Sequence, residues 1–84
     1  METIRIYTTG WCADCRSAKR FLSERGVSFE EINVDEYPDA EELILEANQG
    51  MRKVPTIEIA GRTFACSPFD PEQLAAELNI PLNL

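Results

Sequence analysis

Thr3-Ile4-Arg5-Ile6-Tyr7 alternates apolar and polar positions, with β-branched or aromatic residues at most of them, which predicts a strand. Behind it the period changes. From Ala13 to Arg25 the apolar residues Cys15, Ala18, Phe21 and Leu22 recur at spacings of three and four, and Gly26 stands where a helix C-cap belongs. Val27 to Val34 predicts a second strand, followed by a helix from Asp39 to Gln49 with Leu43, Ile44 and Ala47 inward and Gly50 as its stop. Val54 to Ala60 alternates again, and Gly61-Arg62 connects it to Thr63–Cys66, so these two segments predict a hairpin. Asp70-Pro71-Glu72-Gln73 sets an N-cap, a proline at the first helical position and a capping-box glutamine in register for a last helix ending near Asn79. The predicted order is β-α-β-α-β-β-α, an α/β chain whose first two strands, joined through a helix, are expected to be parallel.

Composition adds bounds to this outline. The 84 residues are 44% apolar, enough for one small domain over residues 1–84 with a modest core, read as a monomer. Three cysteines are too few for the disulfide framework of a small secreted domain. No stretch resembles a signal peptide or approaches the roughly 18 apolar residues of a membrane helix, so a reducing cytoplasm is the expected compartment. Fifteen acidic against eight basic residues give a net charge of −7, which disfavours nucleic acid and anionic membranes as partners. The sign is uneven. Between Gly26 and Met51 lie eight carboxylates and no Lys or Arg, whereas Arg16, Lys19, Arg20, Arg25, Arg52 and Lys53 hold six of the eight positive charges. Two readings stand: solvated faces that differ in sign, or a locally basic surface beside the cysteine pair.

That pair, in WCADC, falls where the first strand gives way to the first helix. C-x-x-C beside a β-α-β pattern in a cytosolic chain points to a reactive dithiol. Tetrahedral zinc wants four ligands, and the chain has no histidine and one further cysteine. Two-coordinate Cu(I) binding by the thiolates is the alternative, as in a metal carrier. Copper chaperones, however, place their Cys-x-x-Cys in a β-α-β-β-α-β order. For a dithiol, position assigns the roles. Cys12 lies at the start of the helix, where free N–H groups and the dipole favour an anion by up to about 2 kcal/mol, so it is the expected nucleophile. Cys15 is one turn further in, on the face that Ala18 and Leu22 continue toward the core, and is the expected resolving thiol. Asp14 works against a Cys12 thiolate, since a unit charge about 6 Å away repels it by roughly 0.7 to 3 kcal/mol. Arg16 and Lys19 work for it. Trp11 reads either as a substrate platform or as a flank of the core.

IYTTGWCADC behind the first strand, KVPT at Lys53–Thr56, Gly61 in the hairpin turn and the short closing helix together resemble the glutaredoxin family along nearly the whole chain. A thioredoxin places a further strand and helix ahead of its WC-x-x-C, for which the ten residues before Trp11 leave no room. The resemblance implies a thioredoxin-like fold, a four-stranded mixed sheet with three helices, and a thiol-disulfide oxidoreductase with no bound cofactor. Its implied electron donor is a low-molecular-weight thiol such as glutathione or mycothiol, or a flavoprotein reductase, and its partners are disulfide-containing proteins. It also implies a cis bond at Val54-Pro55 that sets the Val54 backbone beside Cys12, and a small-thiol groove reached by Cys66 and Ser67, although a lone Cys at a strand end also reads as a small buried residue. The candidate substrate-binding residues are thus Trp11, Ala13, Asp14, Arg52, Lys53, Val54, Pro55, Cys66 and Ser67. Glutathione-binding members carry a Lys shortly before the first Cys, an aromatic residue inside the pair and a Gly-Gly-x-Asp stretch after the fourth strand. Here those places read Thr8-Thr9, Ala13-Asp14 and Phe64-Ala65-Cys66-Ser67-Pro68, and with its YTT-x-WC opening the chain looks more like the mycoredoxins, relatives that use mycothiol; another relative, the redoxin that serves ribonucleotide reductase, is reduced by thioredoxin reductase.

Overall fold

The computed structural model describes residues 3–82. Their elements are β1 (Arg5–Thr8), α1 (Ala13–Glu24), β2 (Glu30–Asn33), α2 (Pro38–Ala47), β3 (Thr56–Ile59), β4 (Arg62–Ala65) and α3 (Pro71–Leu78). The sheet runs β2-β1-β3-β4, with β1 parallel to β2 and antiparallel to β3, and β3 antiparallel to β4. The predicted order and the mixed four-stranded sheet are therefore the observed ones.

β1 is central, and its alternation serves two faces rather than one. Ile6 and Thr8 face α1 and α3, where Ile4, Ile6, Ala18, Phe21, Leu22, Ile57, Cys66, Leu74 and Ala75 form the main core. Tyr7 faces α2 and packs with Val34, Ala40 and Ile44 in a second, smaller core. Arg5, on the Tyr7 side of the pleat, meets Glu58 of β3 at 2.9 Å and Glu30 of β2 at 3.7 Å. Half of that face is thus apolar and half ionic.

The ends of the elements refine the sequence reading. α1 closes as predicted: Gly26 takes φ +70°, its N–H donates to the Ser23 carbonyl, and the Val27 N–H reaches back to the Leu22 carbonyl. α2 begins one residue earlier than expected, with Pro38 at its first position, and Ala47 is exposed rather than inward. β3 begins only at Thr56, because Lys53–Pro55 form a loop. The hairpin turn is Ala60-Gly61, at φ 52° and 77°, with Ile59 paired to Arg62. That is a two-residue turn with both φ positive, and Arg62 already belongs to the strand. Asp70 caps α3 by accepting the N–H groups of Glu72 and Gln73. Gln73 does not complete a capping box. Its amide donates instead to the Ala65 carbonyl at 3.1 Å and ties α3 to the end of β4.

Candidate active site

Cys12 is the N-cap of α1, in extended conformation, and its sulfur accepts the Cys15 N–H at 3.0 Å. A helix start leaves its first N–H groups without carbonyl partners, so a sulfur placed there meets both a donor and the positive end of the dipole. The same thiol donates to the Val54 carbonyl at 3.6 Å. Cys12 is partly exposed, while Cys15, one turn in, is 1% exposed. Burial, reinforced by the neighbouring Cys12, pushes the Cys15 thiol up to about 12, against smaller opposing effects of the Thr9 backbone and Lys19. One sulfur can meet a substrate; the other is held protonated beneath it.

The Val54 carbonyl is aimed by polar ties around Thr56, a fully buried polar residue. Its hydroxyl donates to the Lys53 carbonyl at 2.7 Å and accepts from the Asn48 side-chain amide at 3.1 Å, which also caps the Ile44 carbonyl at 2.9 Å. On the other side the Cys66 N–H donates to the Pro55 carbonyl at 2.9 Å. The Val54-Pro55 bond is cis, as the resemblance implied, and Ser67-Pro68 is cis as well, which was not anticipated.

The remaining expected site residues separate into those brought to the sulfur and those taken from it. Trp11 is 97% exposed, so the reading of it as a core flank is overturned; the turn before Cys12 points it at solvent. Ala13 and Ser67 are exposed and Lys53 is half-buried. Cys66 is fully buried, its thiol donating to the Asp70 carbonyl at 3.7 Å and pushed up by burial, so its side chain lines no open groove. Asp14 does not simply face the sulfurs: its carboxylate accepts the Phe69 N–H at 3.1 Å and pins the segment before α3 to the first turn of α1. The basic surface is thinned: Arg16 is exposed and Lys53 half-buried, while the other four clustered cations are engaged. Arg52 is bound to Asp35 at 2.7 Å and Glu41 at 3.0 Å, Lys19 to Glu31 at 2.8 Å, and Arg20 to Glu24 at 3.7 Å. Arg25 caps the Phe21 carbonyl, stacks on the Phe21 ring and reaches the carbonyls of Pro81 and Leu82. Folding lays the acidic stretch from β2 to α2 beside Lys19 and Arg52, whereas Arg20 pairs one turn along its own helix and Arg25 is held by backbone carbonyls.

Sequence reasoning missed the partners of Asp14, the burial of Thr8 and the shared contact of Thr8 and Lys19 with Glu31. The separations of 12 to 55 residues carry no local signal.

An N-cap cysteine with a buried partner one turn in, held against a proline loop on a four-stranded mixed sheet, is a thiol-disulfide oxidoreductase site on a thioredoxin-like fold. The glutaredoxin family model matches residues 4–64, and the chain belongs to the glutaredoxin family. It is 38% identical over 72 residues to the glutaredoxin-like protein NrdH of Lactococcus lactis subsp. lactis, covering 86% of this chain and 94% of that one. It is 36% identical over 75 residues to mycoredoxin 1 of Corynebacterium glutamicum, covering 89% and 92%. Among solved structures, the NrdH-redoxin of Escherichia coli matches with a TM-score of 0.66 and 36% identity over 75% of this chain and 80% of that one. Glutaredoxin-like proteins take their electrons from a thiol or a reductase and act on disulfides. The copper-carrier reading finds no support in these relatives, and the observed element order differs from the one it requires. No helix among the described residues is long and apolar enough to cross a membrane.

Proposed function

We propose that the chain reduces disulfides of proteins through a dithiol cycle in a reducing compartment such as the cytoplasm, and is itself reduced by a flavoprotein reductase rather than by glutathione. Cys12 attacks the substrate disulfide and forms a mixed disulfide with one of its sulfurs. Cys15 then attacks the Cys12 sulfur, the substrate's second thiol departs, and the enzyme is left with a Cys12–Cys15 disulfide. The observation that carries this reading is the contrast between the two thiols, one half-open at a helix start and the other buried one turn below it.

The choice of partner rests on the surroundings. Trp11 offers a fully exposed indole next to the nucleophile, the kind of amphipathic anchor that interfaces favour. A small anionic thiol wants free N–H donors and cations instead. Around the start of α3 the donors are already used: Asp14 takes the Phe69 N–H, Asp70 takes those of Glu72 and Gln73, and Pro71 has none. Arg52 is shared between two carboxylates. The solved E. coli relative is described as having a thioredoxin-like activity profile, which agrees with this choice.

Side-by-side reduction of the oxidised protein by thioredoxin reductase, glutathione, mycothiol and bacillithiol tests the proposal. Fast turnover with the reductase is expected, together with full loss in Cys12→Ser and trapped mixed disulfides in Cys15→Ser. Efficient, saturable turnover at millimolar glutathione overturns the choice of donor, and equal alkylation of both thiols near neutral pH overturns the assignment of roles. Saturable turnover with mycothiol alone points to the chemistry of the mycoredoxin relative.

A further inference from the structure

A polar cluster that the cycle above does not use ties the helix of the two cysteines to the sheet. Thr8, the last residue of β1, is 1% exposed, and its hydroxyl donates to Glu31 Oε2 at 2.8 Å. Lys19 Nζ donates to the same oxygen at 2.8 Å. Two donors on one carboxylate oxygen join three elements: the end of β1, β2 and the underside of α1. The Glu31 carboxyl lies below the usual carboxylate range, chiefly because of its bond to Lys19, with Thr8 adding to it and burial opposing. An ammonium that would otherwise sweep a wide arc on a four-carbon stem is tied to one place.

That place matters because of helical spacing. Cys12, Cys15 and Lys19 stand at i, i+3 and i+7 on α1, a single stripe, so Lys19 is the i+4 neighbour of Cys15, with Cβ atoms roughly 5–6 Å apart. The groups around the Cys15 sulfur are few. From α1 come Cys12 and Lys19, and from the loop after β1 the backbone of Thr9, while the Val54 carbonyl is taken by the Cys12 thiol. Asp14 is engaged by the Phe69 N–H, the Cys66 thiol by the Asp70 carbonyl, and Arg16 is exposed. Lys19, one helical turn beyond the resolving thiol and partly exposed, is therefore the cation that acts on it.

We propose that Lys19, fixed by Glu31 and Thr8, is a positioning residue for the resolving step, where its charge stabilises the thiolate that forms on Cys15 as it attacks the mixed disulfide. The proposal rests on the division of labour between the cysteines given above. In the step itself Cys15 gives its proton to solvent and its sulfur bonds to the Cys12 sulfur. The bond from Cys12 to the substrate sulfur breaks, and the substrate leaves as a thiolate that takes up a proton. The two cysteines are oxidised and the substrate disulfide is reduced, so no further electron carrier enters. Glu31 has an opposing part: it holds the ammonium in place but also offsets its charge.

The test is a stopped-flow reaction of the reduced full-length protein with dithiobis-nitrobenzoate. The first equivalent of thionitrobenzoate reports attack by Cys12, and the second reports resolution by Cys15. Near neutral pH, Lys19→Met should slow the second phase about threefold to fivefold, less than a full unit charge would give because Glu31 offsets part of it, and shift its pH profile upward. The first phase should change much less. Lys19→Arg, which keeps the charge, should recover most of the rate. Glu31→Gln, which keeps an acceptor for Thr8 but removes the opposing charge, should speed the second phase severalfold and shift its profile downward. A profile unmoved in Lys19→Met overturns the proposal, and so does slowing in Glu31→Gln alongside Lys19→Met, because losing a merely structural tie moves both variants the same way. Folding of each variant is read by circular dichroism, and the conservative Arg and Gln changes decide the matter if Lys19→Met fails to fold. If Cys15→Ser releases the second equivalent as fast as the parent protein, the division of labour itself fails, and that result is distinct from a Lys19 effect that is missing.

Discussion

The two faces of the sheet are built differently, and the cysteine site sits where they meet. On the α1/α3 face, Ile6, Ala18, Leu22, Ile57, Cys66 and Leu74 are all fully buried, and seven further apolar residues pack around them. On the α2 face the apolar cluster is Tyr7, Val34, Ala40 and Ile44, bordered by the Arg5–Glu58 and Arg5–Glu30 pairs and by the hydrogen bonds of Thr56 and Asn48. The first face holds the helix that carries Cys12 and Cys15. The second holds the loop that brings Val54 to Cys12. The contrast teaches that nonpolar burial fixes the reactive helix, whereas directional polar contacts aim the loop against it.

The comparison can be broken at its strongest point first. Leu22→Ala should lower stability by about 2–5 kcal/mol, since it leaves a cavity in the larger core. Ile44→Ala, in a smaller cluster edged by polar groups that can close in, should fall at the low end of that range. Equal losses in urea denaturation would mean that the two faces do not differ as described.

A second test cuts the contact that joins the two cysteines' helix to the segment before α3. Asp14→Ala leaves the Phe69 N–H without its acceptor and should cost about 1–3 kcal/mol. Asp14→Asn keeps an acceptor and should restore most of this, while the missing charge raises the alkylation rate of Cys12. An Asn variant as unstable as the Ala variant would show that the charge of Asp14, rather than its hydrogen bond, supports the loop.

The smallest effect is a pH dependence of the reduced protein that comes from the α1/α3 face. Burial raises the Cys15 thiol to about 12 from 9.0 and raises Cys66 as well, so the native state holds these protons more tightly than the unfolded chain. Stability should therefore be fully present below about pH 9 and fall as the pH rises toward about 12. One unit above the unfolded value, the Cys15 thiol should take away about 1 kcal/mol, with Cys66 adding to the loss in the same direction. Guanidinium denaturation at a series of alkaline pH values should show this loss, and Cys15→Ser should reduce it. A flat profile would contradict the burial of these thiols.

Much of the architecture is legible in the sequence. The shift from alternating to three-and-four spacing between Tyr7 and Cys15, Gly26 after α1 and Asp70-Pro71 before α3 are local signals, and the structure uses each of them. The misplacements were also local. Ala60 adopts a positive φ that alanine seldom takes, so the hairpin turn was set one residue late, and Gln73 found a better acceptor in Ala65 than in its own capping box. For the site, spacing alone distinguished an open Cys12 from a buried Cys15, because both follow from the geometry of a single helical turn.

What the chain by itself determined, then, is what depends on neighbours within a few residues: the periods, the caps, the turns and the order of the two thiols. Tertiary structure alone decided which charges remain free. Arg52 reads as a basic site residue until Asp35 and Glu41 fold against it, Asp14 reads as a charge beside two sulfurs until Phe69 supplies an N–H, and Lys19 reads as a cation favouring the Cys12 thiolate until Glu31, which Thr8 also binds, ties it down. Electrostatic effects at a site depend on distances through space and on burial, and neither quantity is written in the spacing of residues along the chain.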